Sequence, residues 1–190
     1  MSKVSLTTPT NDFCPQTLFL YGTYKEDGTP DFGLFCWFSY YWDTELMVMA
    51  AIGGDKLTRD RIHANGVFSA NLVTEELLST ADYLGNISGY EEDKMKIDLE
   101  IGKGTVLDVP VLASSPWTYE LEVVQSLPQA DGEIFLCRIR NILADEKLLE
   151  KGKTVEERIR SIAPVHTTCS TYFGWDGKAL GAWGEIQKKN

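Results

Sequence analysis

Three basic side chains, Lys56, Arg59 and Arg61, fall within six positions of an otherwise acidic chain, and Thr58 adds a hydroxyl among them. The surrounding stretch, residues 55–64, carries Leu57 and Ile62 among charges and reads as a short helix closed by Asn65-Gly66. The basic group therefore stands at a helix start, where unpaired backbone N–H groups face outward and attract an anion such as a phosphate. A second reading stays open at this point: a solvated helix face on which Arg59-Asp60-Arg61 pair only with their neighbours.

The other stretch able to do chemistry is Leu34 to Tyr41, which contains Cys36-Trp37-Phe38-Ser39. Trp37 or Phe38 offers a flat apolar wall for an aromatic ligand, with backbone N–H groups near Phe38 and Ser39 for its polar edge. The alternative is that these rings are core. Cys36 is either a redox-active thiol at that seat or a small buried residue. Asn71 sits in an apolar run with Phe68, Ala70, Leu72 and Val73. If buried it needs a partner, and either a ligand edge or a backbone carbonyl would serve.

Other chemistries find no support. There is no GxSxG elbow, and Gly102-Lys103-Gly104-Thr105 lacks the preceding glycine of a phosphate-binding P-loop. His63 lies among charges and His166 follows Pro164-Val165, neither beside a recognisable nucleophile. Cys14, Cys36, Cys137 and Cys169 form no CxxC pair and read as reduced thiols.

The elements that must position these residues are mostly strands. Thr17 to Tyr24, Phe32 to Phe38 and Glu45 to Ile52 read as strands, the first two joined by a turn at Glu26-Asp27-Gly28-Thr29-Pro30. The short helix follows, then a strand over Val67 to Val73. A second helix is expected from an N-cap at Thr74, with Glu75 and Glu76 in its first turn, to an end at Gly85. Asn86 to Gly104 reads as loop with a helical turn near residues 92–97. Thr118 to Ser126 and Glu133 to Leu143 are further strands, and Lys147 to Ile162 is helical in part. The pattern predicts a single domain over residues 1–190, an antiparallel barrel with helices at its ends, and about 12 flexible residues at the N-terminus.

The net charge of −10 and a pI near 4.7 repel nucleic acid and anionic lipid at long range. No segment approaches the roughly 20 apolar residues of a membrane span, and the polar N-terminus lacks a signal-peptide core. The expectation is a cytoplasmic protein with neither nucleic acid nor membrane as partner.

One ordered series ties the pieces together. The turn Glu26–Pro30 is followed by Cys36-Trp37-Phe38-Ser39, Ala51-Ile52-Gly53, and Lys56-Leu57-Thr58 with Ile62. Then come Gly66-Val67-Phe68-Ser69-Ala70-Asn71-Leu72, Ser88-Gly89 and Asp93-Lys94. In this order, over residues 15–145, the chain resembles the flavin reductase-like FMN-binding split-barrel family, which includes flavoredoxins. The resemblance implies a mainly β fold: an antiparallel Greek-key split β-barrel with short peripheral helices, commonly a homodimer.

It also implies FMN as cofactor. Lys56 and Thr58 would contact the phosphate, with Arg59 beside them. Cys36, Trp37, Phe38 and Ser39 would surround the ring, Asn71 and Leu72 would line the site, and Ser88 and Lys94 would sit on a loop closing over the ribityl-phosphate end. Many relatives have Thr-Pro where this chain has Ser39-Tyr40, which keeps a hydroxyl and loses a rigid backbone position. Tyr172 and Trp175 either stack on a flavin or nicotinamide or pack the C-terminal tail. The implied activity is NAD(P)H-dependent flavin reduction, with NADH or NADPH delivering hydride to flavin N5. The alternative is a flavoredoxin-like electron carrier reduced by a redox protein partner.

Overall fold

The structure is a computed structural model and describes residues 2–186, so the ends of the expected 1–190 domain lie outside the described residues. Residues 2–15 carry no regular element. In chain order the strands are β1 (Gln16–Thr17), β2 (Phe19–Tyr24), β3 (Pro30–Phe35), β4 (Phe38–Trp42) and β5 (Leu46–Gly53). Helix α1 (Leu57–Asn65) leads to β6 (Val67–Leu72) and helix α2 (Leu78–Asn86). Next come β7 (Ile101–Lys103), β8 (Pro110–Leu112), β9 (Trp117–Gln129), β10 (Gly132–Ala144) and helix α3 (Val155–Ile162). The tail adds β11 (His166–Thr167), β12 (Thr171–Phe173) and β13 (Ala179–Ala182).

Seven strands form the barrel wall in the order β3-β2-β6-β9-β10-β5-β4, every pairing antiparallel. The β9–β10 hairpin is inserted between β6 and β5, strands that are consecutive in the chain, which is the Greek-key feature. Strands β3 and β4 are the two edges, and only Cys36 and Trp37 separate them in sequence. A second sheet, β1-β11-β12-β13, carries the tail.

Strand β2 explains why its sequence is apolar without alternation. Phe19 and Tyr21 point into the barrel with Phe68, Leu121 and Phe135. Leu18 and Leu20, on the opposite face, pack with Leu78, Ala81, Leu84 and Tyr172 beneath α2 and the tail. Both faces are dry, so both positions of the pleat are apolar. The β2–β3 turn follows its sequence signal: Asp27 Oδ1 accepts hydrogen bonds from the Thr29 amide at 2.9 Å and hydroxyl at 2.6 Å, and Gly28 takes φ 81°.

Two expectations are corrected. Strand β4 lies beyond the predicted end at Phe38; Tyr40 and Trp42 are exposed on an edge, so no burial pattern marks it. Helix α2 begins at Leu78, because Thr74 is taken up in a β-bridge to Pro164 and a turn whose hydroxyl accepts from the Leu77 amide. The helical turn expected near residues 92–97 is present as successive turns, the Lys94 amide donating to the Glu91 carbonyl and the Lys96 amide to the Asp93 carbonyl. Among the described residues, no helix is long and apolar enough to cross a membrane.

A buried carboxylate pins the loop between β7 and β8. Glu120 accepts hydrogen bonds from the amides of Thr105, Val106 and Leu107 and from Asn141. Burial opposes its ionisation, but these donors outweigh burial and hold the carboxyl below the ordinary glutamate range. A depressed folded-state pKa contributes stability that is complete above the unfolded-state value and is lost as pH falls through the folded one. Urea midpoints measured from neutral to acid pH should therefore decline on the acid side, and Glu120→Gln should flatten that part of the curve.

Candidate functional site

Two adjoining cavities open where α1, α2 and the β3–β4 link meet, and they share Leu34, Phe35, Lys56 and Gly85. The first, of about 170 Å³, is lined by the start of α1 (Lys56, Leu57, Thr58) and by residues 86–89 and Lys94. The second, of about 220 Å³, is more apolar and is walled by Phe35, Cys36, Trp37, Cys169, Tyr172 and Trp183.

The polar cavity is built around a helix start. Lys56 is the N-cap of α1 in extended conformation, and no side chain caps the helix, so the first-turn amides keep their hydrogen-bonding capacity for an incoming group. Thr58 is buried and Lys56 is exposed at the rim. The loop bearing Ser88 comes down close: a Cβ added at Gly89 would lie 2.8 Å from Leu57 Cβ. Gly85, expected to terminate α2, lies within it instead. Its service is close approach, since a Cβ there would sit 2.8 Å from Leu34 Cβ between the two cavities.

Lys94 is almost fully buried, with Nζ 3.0 Å from Oδ1 of the equally buried Asp31. Burial pushes the Asp31 carboxyl up and the Lys94 ammonium down, and each is only partly opposed by the other's charge. The pair brings a cation to the cavity floor together with its counter-charge, so Lys56 and the helix start supply the uncompensated positive potential there.

Arg59 belongs elsewhere. Its guanidinium donates to the Gly54 carbonyl at 2.6 Å and to Asp60 at 2.9 and 3.1 Å, and lies 3.7 Å from Asp55. It does not line the cavity. It offsets Asp55, a rim carboxylate that also accepts from the Tyr90 hydroxyl and would otherwise repel an anion. Arg61 likewise turns to Tyr24, Glu26 and Asn65.

Asn71 and Leu72, expected at the site, are structural. Asn71 is buried with its hydrogen-bonding groups taken by the protein: Nδ2 donates to the Leu20 carbonyl and Ser69 Oγ, and Oδ1 accepts from the Leu112 amide and the Thr118 hydroxyl. It ties β6 to β2, β8 and β9. Leu72 packs in the barrel core.

The apolar cavity takes up only the N-terminal half of the predicted stretch. Cys36 and Trp37 line the apolar cavity together with Leu34 and Phe35. Phe38 turns inward onto Phe19, with ring centroids 4.3 Å apart, and its amide is used by the Cys36 carbonyl. Ser39 is opposite Met49 in the β4–β5 ladder and exposed. Strand alternation accounts for the split, since the chain becomes a paired edge strand at Phe38.

The tail supplies residues that the sequence reading did not place: Thr167, Cys169 and Trp183 complete the apolar wall. They are held by Asp82 on α2, which accepts from the Tyr172 hydroxyl at 2.7 Å and from the amides of Gly184 and Ile186. Tyr172 is thus both tail anchor and cavity wall. Trp175 stands away from the cavity, under the Arg160 guanidinium at 4.8 Å. A lone Asp amid the apolar stripe of α2 was the only sequence signal for this docking.

Comparison with known proteins agrees with this architecture. The profile of the flavin reductase like domain matches residues 12–161. A curated uncharacterized protein of Aeropyrum pernix is 24% identical over 147 residues, covering 72% of this chain. The match covers only 56% of that relative's length, little more than half. Among solved structures, a flavoredoxin from Methanosarcina acetivorans superposes with a TM-score of 0.79 at 21% identity, covering 92% of this chain and 91% of its own. An FMN-binding protein from Thermus thermophilus, solved with bound 1-cyclohex-2-enone, gives 0.70 at 19% identity, covering 97% and 98%.

Proposed function

Because the chain belongs to the flavin reductase-like family, we propose that it binds FMN across the two cavities and accepts electrons from NADH or NADPH. The observation that carries this reading is the pairing of a cationic compartment at a helix start with an aromatic compartment, joined at Leu34, Phe35 and Lys56. A ligand with an anionic tail and a flat ring needs that division.

The residues fit the group. Lys56 and the first-turn amides of α1 would hold the phosphate, with the Thr58 hydroxyl donating from below and Lys94 and Ser88 closing the far side. Trp37 and Trp183, both half-exposed, would present ring faces to the isoalloxazine. FMN, when bound, supplies a ring that takes up a hydride and can release electrons onward. The protein's own part is to bind and orient that ring and to exclude water from one side of it. No side chain has to move a proton, which accords with a cavity that contains neither histidine.

The edge strand β4, with Tyr40 and Trp42 exposed and no strand beyond it among the described residues, supports a homodimer in which a second copy covers that edge. The acidic composition accords with a cytoplasmic setting. A second reading, a flavoredoxin-like carrier reduced by a basic protein partner, is favoured by the acidic net charge and by the likeness to a flavoredoxin.

Anaerobic mixing of FMN-loaded protein with each nicotinamide separates the two readings. Loss of the flavin absorbance on a catalytic timescale is the expected result. If dithionite bleaches the flavin while neither NADH nor NADPH does, the reductase assignment fails and the carrier remains.

A further inference from the structure

Two cysteines separated by 133 positions meet in the wall of the apolar cavity. Cys36, in the β3–β4 link, and Cys169, in the turn between β11 and β12, place their sulfurs 3.4 Å apart. Both are reduced. The other two thiols are elsewhere: Cys137 is fully buried in the barrel core, and Cys14 lies in the exposed N-terminal segment. The backbone at Cys169 is left-handed, with φ 72°, a conformation that costs a non-glycine residue about 1–2 kcal/mol. It is held there by the Thr167 hydroxyl, which accepts from the Cys169 amide at 3.0 Å. This left-handed turn holds the Cys169 sulfur at the cavity wall facing Cys36.

We propose that Cys36 and Cys169 form a reversible dithiol–disulfide site that exchanges with low-molecular-weight disulfides at the exposed sulfur of Cys169. Cys169 is the exposed sulfur and takes the first step: as thiolate it attacks one sulfur of the small disulfide, forming a mixed disulfide and releasing one thiolate. Cys36 then attacks Cys169 Sγ, loses its proton to the departing group, and expels the second small thiol. Two protein thiols give up two electrons and two protons; the small disulfide gains both.

The approach needed is small, since a disulfide bond of about 2.05 Å asks the sulfurs to close by only roughly 1.4 Å. Burial pushes the Cys36 thiol up to about 12, and the Cys169 contact adds to that. The resulting bond would lace the tail to the barrel across the wall of the cavity. The pair lies in the wall that the flavin ring would cover, so added FMN should slow the exchange.

The test equilibrates the full-length protein with oxidised and reduced glutathione over a range of ratios, alkylates remaining thiols, and maps the peptides by mass spectrometry. The expected product is one Cys36–Cys169 cross-link that dithiothreitol reverses, with Cys14 and Cys137 still alkylated. In Cys36→Ser, the glutathione adduct should persist on Cys169. In Cys169→Ser, Cys36 should remain unmodified, and in Cys14→Ser the cross-link should form as in the parent. Four alkylated thiols across the whole range, or pairing of Cys169 with Cys14, would overturn the proposal. The experiment is run with and without added FMN, and cross-linking in the flavin-free sample stands apart from the spectroscopic test of the reductase.

Discussion

Lys94→Met is expected to destabilise the protein by about 3–5 kcal/mol, because it leaves the Asp31 carboxylate buried with no counter-charge. The pair itself is no strong source of stability. Burial shifts both partners toward their neutral forms, so desolvation consumes much of their mutual attraction. Replacing both, as Asp31→Leu with Lys94→Met, should therefore recover most of the loss. The single variant carries a further signature. Asp31 already has a raised folded-state pKa, and removing Lys94 takes away an influence that lowers it. A group that binds its proton more tightly when folded gains stability as pH falls, so Lys94→Met should become relatively more stable in mild acid. This is opposite to the acid-side decline attributed to Glu120. Urea unfolding of parent, single and double variants at neutral and acid pH measures all of this; a double variant no more stable than Lys94→Met would show that the ion pair is not the cause.

The pair also illustrates what the sequence could and could not disclose. Lys94 was singled out through its place in an ordered series, and it lines the polar cavity. Its burial was not legible, since nothing near Asp31 in the chain indicates a partner 63 positions away. The strands were legible where a dry face writes apolar residues, as in β2, β5 and β6, and illegible in β4, whose Tyr40 and Trp42 stay exposed at the sheet edge although they share the face of the inward Phe38. Asn71 was read correctly as a strand amide in need of partners. Only the fold could decide between a ligand and the barrel, and it gives all four of the hydrogen bonds described above to the barrel. The same limit hid Cys169 and Trp183. Their placement depends on Asp82 capturing the returning tail through long-range hydrogen bonds that leave no periodicity behind.

Lys56→Ala combined with Thr58→Ala is expected to weaken FMN binding by about 3 kcal/mol, on the order of a hundredfold in Kd, from the loss of one charge-assisted and one neutral hydrogen bond. Lys56 is exposed, so its share lies toward the lower end for a charged group; Thr58 is buried, which raises the worth of its hydroxyl. Arg59→Ala should do less, because that guanidinium is already committed to Gly54, Asp55 and Asp60. The decisive control is riboflavin, which has the same ring and no phosphate. Its affinity should be nearly the same for parent and double variant, whereas FMN's should fall toward it. Added salt should weaken FMN binding to the parent more than to the variant, since the rim charge at Lys56 is open to screening. Fluorescence titrations with both flavins at two ionic strengths give the comparison. Equal weakening for riboflavin and FMN would mean that these residues act on the ring or the fold, and the anion would then have to be sought away from the start of α1.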